Sequence, residues 1–313
     1  MNEAITLNEE TRASDAPLTS ALSVGVLVTN YNSWELARQC IEANLQLHGD
    51  TLARVVLLDD TSTTPPPFES DGRFELIINP KNLGFAANLN QGVKLMGTDI
   101  VLIFDADARP LRPYLDTLLR EFHSDVQLAL VGFSTEDEQG NPTPSTDKEP
   151  NAWSLILGQA VYARLQRFIE RGETRECLWL CALAVRASAF DELGGFDTDF
   201  DLLDVDIDLS MRVHRSNYHL QARDDLLAFH TGGGTPMFLS HRLLRFYANR
   251  WRTLRKHGKM KSPQLCKFAI LLRLQIELNV LRLLGTRLFP DAAVRRDKLE
   301  GRRRIIRYCR THY

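Results

Sequence analysis

Three apolar runs that each end on amide or acid side chains constrain this chain most: GVLVTNYN (25–32), ARVVLLDD (53–60) and DIVLIFDAD (99–107). Near-continuous apolar strands are covered on both faces, as in parallel sheets flanked by helices. Helical patterns separate them. SWELARQCIEANLQLHG (33–49) opens on an N-cap serine, carries an early Glu35 and closes on Gly49. NLGFAANLNQGVKLMG (82–97) reads as a glycine turn entering a helix, and PLRPYLDTLLREFHS (110–124) as another helix. FELIINP (74–80) and VQLALVGFS (126–134) read as further strands. Strand–helix alternation predicts an α/β fold with a parallel sheet. Ligands of such sheets bind beyond the carboxyl ends of the strands, so Asp59/Asp60 and Asp105/Asp107 are expected at one crevice.

Beyond residue 135 the rhythm loosens. TEDEQGNPTPSTDKEPN (135–151) reads as a polar loop and SLILGQAVYARLQRFIERG (154–172) as one helix. LWLCALAVRASAFDELGGFD (178–197) suggests strand, helix and glycine stop; DLLDVDIDLSMR (201–212) suggests an acidic turn entering a helix. Three domains are expected: an acidic, disordered leader over 1–22, an α/β domain over 23–257 and a basic helical region over 258–313.

The charge is unevenly spread. Residues 242–313 hold 20 Lys+Arg against 4 acids, whereas residues 1–241 hold 18 against 36. A basic tail on an acidic body suits an anionic surface. CKFAILLRLQIELNVLRLLGTRLF (266–289) is apolar but interrupted by charge. It is suited either to lying on an anionic membrane or to packing on the α/β domain or on a second copy in a homodimer. No run reaches about 18 uncharged apolar residues, and the first residues lack the basic and apolar regions of a signal peptide. The five cysteines are scattered, and Cys177 and Cys181 lack a second ligand pair. They read as reduced thiols of a cytoplasmic protein.

Each candidate site admits two readings. Asp105 and Asp107 are either an acidic turn or oxygen ligands for a hard divalent cation. Asp59 either closes an Asx-turn or bonds a ribose hydroxyl or base N–H. Asn88 is either an exposed helix position or one suited, near a helix N-terminus, to an anion or sugar, with Lys81 within reach of a phosphate. Asp204, Asp206 and Asp208 are either first-turn acids that suit the helix dipole or a cluster kept for a cation or proton transfer. His230, ahead of three glycines, is either a buried histidine or an added metal ligand.

Taken in order, VLVTNYN, VVLLDDTST, NLGFAANLNQG, DIVLIFDADARP, ALAVRASAFDELGGFD, DVDIDLSMRV and FHTGGGT resemble the family 2 glycosyltransferases of GT-A fold over roughly residues 23–257. The subgroup most similar includes bacterial rhamnosyltransferases and related O-antigen or exopolysaccharide enzymes. The resemblance implies a Rossmann-like, mostly parallel sheet flanked by helices, and inverting, metal-dependent transfer from a nucleotide-diphosphate sugar to a glycan or lipid-linked hydroxyl in cell-surface polysaccharide synthesis. By position it implies that Asp59 binds the nucleotide base or ribose beside Thr29, Asn30 and Tyr31. Asn82, Gly84 and Asn88 border the donor. Asp105 and Asp107 form the D-x-D holding Mg²⁺ or Mn²⁺, His230 approaches that metal, and Asp206 is the catalytic base. Asn249, Arg250 and Trp251 resemble the start of the family's C-terminal helix. Val205 stands where a Glu is usual, D-D-T-S-T replaces D-N-G-S-T, and Cys181 replaces a Gly. No nucleic-acid partner is expected. Two rival readings are a catalytically silent sugar-nucleotide or anionic-ligand binding protein and a metal-dependent nucleotidyltransferase. The second would be expected to carry a Gly-rich, Lys/Arg-bearing loop after its first strand, where TNYNSWE stands.

Overall fold

The computed structural model describes residues 22–169, 175–230 and 239–313. The elements, in chain order, are β1 (Val24–Asn30), α1 (Trp34–His48), β2 (Arg54–Asp59), β3 (Glu75–Ile78), α2 (Phe85–Met96), β4 (Ile100–Asp105), β5 (Ala108–Pro110), α3 (Leu115–Ser124), β6 (Leu128–Glu136), β7 (Pro142–Thr143) and β8 (Thr146–Lys148). Then follow α4 (Ala152–Leu157), α5 (Gln159–Ile169), β9 (Glu176–Leu178), β10 (Ala182–Arg186), α6 (Ala187–Glu192), α7 (Val205–Val213), β11 (His219–His230), α8 (Leu239–Lys256), α9 (Pro263–Leu288) and α10 (Ala292–His312). The expected acidic leader lies outside the described residues, except for Leu22, and so do the glycines at 232–234.

The strands run in the order β3-β2-β1-β4-β10-β6-β11-β5, with β7 on β6, and β8 pairs separately with β9. The three apolar runs form adjacent parallel strands, β2 and β4 flanking β1. The sheet is mostly parallel, as expected, and β10 is an exception within it, antiparallel to both β4 and β6. Apolar character reports burial, not strand direction, so the long excursion between β6 and β10 hides the reversal. One correction concerns the single helix expected over 154–172, which within the described residues, to Ile169, is two helices broken at Gly158. Its φ of +77° lies in the left-handed region that glycine adopts without penalty.

Alternate strand residues feed two cores. Val24, Val26 and Val28 join Trp34, Ile41, Leu118 and Phe122 of α1 and α3 on one face. Leu27, Val101 and Ile103 join Leu89, Val93, Phe190 and Leu209 of α2, α6 and α7 on the other. Helix α2 sits tightly on β1, since a Cβ on Gly92 would meet Leu27 Cδ2 at 2.5 Å. Gly92→Val is therefore expected to cost about 1–3 kcal/mol by overpacking, read as a lower thermal midpoint. An unchanged midpoint would mean that Leu27 repacks freely.

A third core lies among α8, α9 and α10. Phe246, Trp251, Leu254, Ile270, Leu274 and Ile306 pack with Leu155 of α4. Packing thus continues across Gly258, the boundary expected from sequence, and Trp251 stacks on Tyr313 at 3.7 Å between ring centroids. All five cysteines are free and buried. Among the described residues, no helix is long and apolar enough to cross a membrane.

Candidate active site at the carboxyl end of the sheet

The register places Asn30 beside Asp59 and Thr29 beside Asp105, so both acids reach the same end of the sheet. They do not share a face. Asp59 follows Val55 and Leu57 toward α1, whereas Asp105 follows Val101 and Ile103 toward α2 and α7.

The D-D-T-S-T loop consumes its own polar groups. Asp59, 1% exposed, accepts from Asn30 Nδ2 at 2.7 Å, Ser62 N–H at 2.8 Å and Ser62 Oγ at 2.5 Å. The carboxylate thus braces the 59–62 turn, with the Ser62 N–H three residues on. Asp60 accepts from Leu83 and Gly84 N–H at 2.8 and 3.0 Å, just ahead of α2, and from Asn79 Nδ2 at 3.1 Å. The anion expected near this helix N-terminus is thus a side chain of the protein itself. Gly84, at φ +84°, faces open space, and Asn82 donates to the Asp60 carbonyl at 2.8 Å. Asn88 is neither exposed nor aimed at the cleft: it is buried and accepts from Asn79 Nδ2 at 2.8 Å. Thr29 is buried, and Tyr31 stands half exposed at the mouth of β1.

On the other face, Asp105, Asp107 and His230 bring one ligand atom each to within 4.8 Å of one another. His230 Nε2 stands 3.7 Å from Asp107 Oδ1. The three-residue β5, invisible in the sequence pattern, delivers this arrangement by pairing antiparallel with β11 and placing Ala108 opposite His230. Burial first, then the charges of Asp107 and Asp206, push the Asp105 carboxyl up to about 7. Crowded carboxylates with an imidazole are a donor set that suits Mn²⁺ or Mg²⁺, and the raised Asp105 marks negative charge that a cation would relieve.

The acidic turn separates three aspartates that look alike in sequence. Asp204, at φ +62°, accepts from Arg250 Nε at 2.7 Å, Arg250 Nη2 at 3.0 Å and Thr253 Oγ1 at 3.0 Å. Asn249 Nδ2 donates to the carbonyls of Asp201 and Leu203, both at 2.8 Å. Asp208, fully buried, bonds Arg212 Nε at 2.9 Å, His257 Nε2 at 2.8 Å and Lys256 Nζ at 2.7 Å. Burial opposes its ionisation, but His257, Lys256 and Arg212 outweigh it and hold the carboxyl at about 2. Neither acid replaces a glutamate at Val205, whose side chain lies in the α2–α6–α7 core.

Asp206 differs. It accepts only backbone N–H groups, from Leu180 at 3.0 Å and Ile207 at 2.8 Å, and no cation pairs with it among the described residues. Burial pushes its carboxyl up to about 6 against the pull of those N–H groups.

Residue-type reasoning missed two supports. Asn90 is bonded both ways to the Phe196 backbone, at 2.8 and 2.7 Å, and fixes the glycine stop ahead of the turn. Arg250 and Thr253 fix the turn itself; Arg250 is marked in the sequence by its likeness to the start of the family's C-terminal helix, and Thr253 by nothing. Arg250→Met, by stranding the buried Asp204 charge, is expected to cost about 3–5 kcal/mol in urea unfolding. The double variant Arg250→Met/Asp204→Asn should recover part of this; no recovery would deny the pair its electrostatic role.

Comparison with known proteins places this geometry. A pre-mycofactocin glycosyltransferase of Mycobacterium tuberculosis (strains H37Rv and CDC 1551) is 29% identical over 210 residues, covering 60% of this chain and 43% of that protein. The chain thus aligns with less than half the length of those curated relatives. Among solved structures, a mannosyltransferase from Pyrobaculum calidifontis in complex with GDP-Man and Mn²⁺ superposes with a TM-score of 0.55 at 16% identity, covering 95% of this chain and 88% of that one. GalNAc-T7 with UDP, GalNAc and Mn²⁺ superposes with a TM-score of 0.54 at 14% identity, covering 75% and 48%. These two likenesses give the GT-A glycosyltransferase fold. Residues 25–194, more than half of the chain, match glycosyl transferase family 2, and the chain belongs to that family.

Proposed function

We propose that the protein is an inverting, metal-dependent glycosyltransferase that moves a sugar from a nucleotide-diphosphate sugar to a hydroxyl of a glycan or lipid-linked acceptor in cell-surface polysaccharide synthesis. The observation that carries this reading is the sorting of the acidic turn: Asp204 is held by the buried Arg250 and Asp208 by Arg212, Lys256 and His257, leaving Asp206 poised at about 6 beside the Asp105–Asp107–His230 cluster. Family membership and two structural relatives that hold a nucleotide or nucleotide sugar with Mn²⁺ support it.

Asp206 is the general base. Its two backbone N–H bonds aim the carboxylate while leaving lone pairs for an acceptor hydroxyl. The hydroxyl oxygen bonds to the anomeric carbon as its proton passes to Asp206. The bond to the diphosphate breaks on the opposite face, its electron pair leaving with the phosphate oxygen. Asp105, Asp107 and His230 would hold a divalent cation, which would supply charge neutralisation for the departing diphosphate. Thr29, Asn30 and Tyr31 line the nucleoside side. Asp59 acts there by shaping the 59–62 turn, with Asn82 and Gly84 bordering it.

Thermal-shift measurements with UDP-, dTDP- and GDP-sugars, with and without Mn²⁺, test the donor class. The dTDP-sugars are included for the motif likeness to rhamnosyltransferases. One nucleotide class is expected to stabilise by about 2.7 kcal/mol at a hundredfold excess over its dissociation constant, and only with metal. No shift with any of them would sink the reading. A silent binding protein, the reading favoured by Val205, would bind a donor yet neither transfer nor hydrolyse it.

A further inference from the structure

Helix α9 is apolar on two sides. One side, with Cys266, Ile270, Leu274, Leu278 and Leu281, is buried in the helical core. The other carries Leu265, Phe268, Leu272, Ile276, Val280 and Leu283, each 41–80% exposed. Their three- and four-residue spacing makes one row that runs about 27 Å along the helix. A row of this length is larger than the scattered apolar residues of an ordinary surface. On neighbouring α5, Val161, Leu165 and Phe168 are also exposed. That helix begins at Gly158, where an added Cβ would strike the Arg273 guanidinium of α9.

The exposed charges that α9 itself leaves without an ion pair, among the described residues, have one sign. The only acid of α9, Glu277, is held by Arg273 and by Arg302, the latter at 3.3 Å. Arg282 and Arg287 on α9 and Arg296 on α10 are exposed and form no ion pair among the described residues. We infer that this face of α9 docks on an anionic phospholipid bilayer, with the helix flat in the interface. The apolar row enters the acyl boundary while the exposed arginines meet headgroup phosphates. A second copy paired through the same face fits less well, because it would bring together two tails that each carry +16 over residues 242–313.

The test is flotation of the full chain with phosphatidylcholine vesicles, with and without phosphatidylglycerol, at low and high salt. The wild type is expected to float with the anionic vesicles alone and to dissociate as salt rises. Leu272→Glu/Ile276→Glu/Leu283→Glu should stay unbound, and Arg282→Glu/Arg287→Glu should bind at least about tenfold more weakly. Both variants should keep the wild-type thermal midpoint and donor-induced shift, since the altered positions are exposed and far along the chain from Asp206. A wild type that does not float, or a triple variant that floats equally, overturns the inference. So does a wild-type dimer in sedimentation that the triple variant converts to monomer, because the face would then be an interface between copies. None of these outcomes depends on sugar transfer, so the proposed activity stands or falls separately.

Discussion

Asp206→Asn is expected to lower transfer by about 10²–10⁴-fold, the contribution of a positioned general base, while leaving the Mn²⁺-dependent thermal shift with the donor in place. The amide keeps the size of the side chain and can still accept from Leu180 N–H, but it cannot take the acceptor's proton. The pH profile adds a second readout. A base works only when deprotonated, and Asp206 is held at about 6. Wild-type kcat/KM should therefore fall as pH drops through about 6, and the residual rate of the variant should lack that limb. Stability should move the other way. A carboxyl whose folded pKa is raised from 3.8 toward 6 disfavours folding once it ionises, a cost absent below pH 4 and complete above pH 6. The variant should thus unfold later than wild type at pH 8, by about 1–3 kcal/mol, and match it near pH 3. Full activity in Asp206→Asn would remove this residue from the mechanism.

Asp107→Asn, like EDTA on the wild type, is expected to reduce transfer by at least about 100-fold and to erase the Mn²⁺-induced rise in thermal midpoint. Asp105 makes that rise depend on pH. Its carboxyl sits at about 7, so at pH 5 the proton occupies the site that the cation needs, and at pH 8 it does not. The Mn²⁺ shift should accordingly be small at pH 5 and grow through pH 7. Asp107→Asn also removes one of the two charges that raise Asp105, whose titration should move down toward the ordinary carboxylate range. An enzyme indifferent to EDTA would sink the metal assignment, whatever the fate of Asp206.

What the sequence revealed follows from how local each signal is. The strands ending in Asn30, Asp59 and Asp105 were legible because burial on both faces writes a continuous apolar run. Helix α1 was legible because Ser33 and Gly49 bracket it, although the Ser33 side chain makes no cap bond. The direction of β10 and the pairing of β5 with β11 are long-range facts, and three residues carry too little pattern to announce a strand. The site divides in the same way. Asp105, Asp107 and His230 could be named from their surroundings in the chain, and the structure gathers them. Which aspartate of the acidic turn is left for chemistry could not, because, apart from Arg212 four residues after Asp208, the partners that silence Asp204 and Asp208 arrive some 40 to 50 residues later. The bonds of Asn88 and Asp60 to Asn79 were hidden for a related reason: a polar group near a helix start reads the same whether it meets a ligand or a neighbour.

The way α8 is fastened has a consequence for anyone recombining this chain with a relative. Helix α8 reaches the acidic turn through Asn249, Arg250 and Thr253 and Asp208 of α7 through Lys256 and the adjoining His257, while Trp251 is roofed by Tyr313. A chimera joined between α8 and α9 would pair a turn from one parent with a roof from the other. Both seams would then have to match at once. Crossovers placed before α8 sever the turn from its clasp, so the smallest exchangeable module runs from the acidic turn through α10.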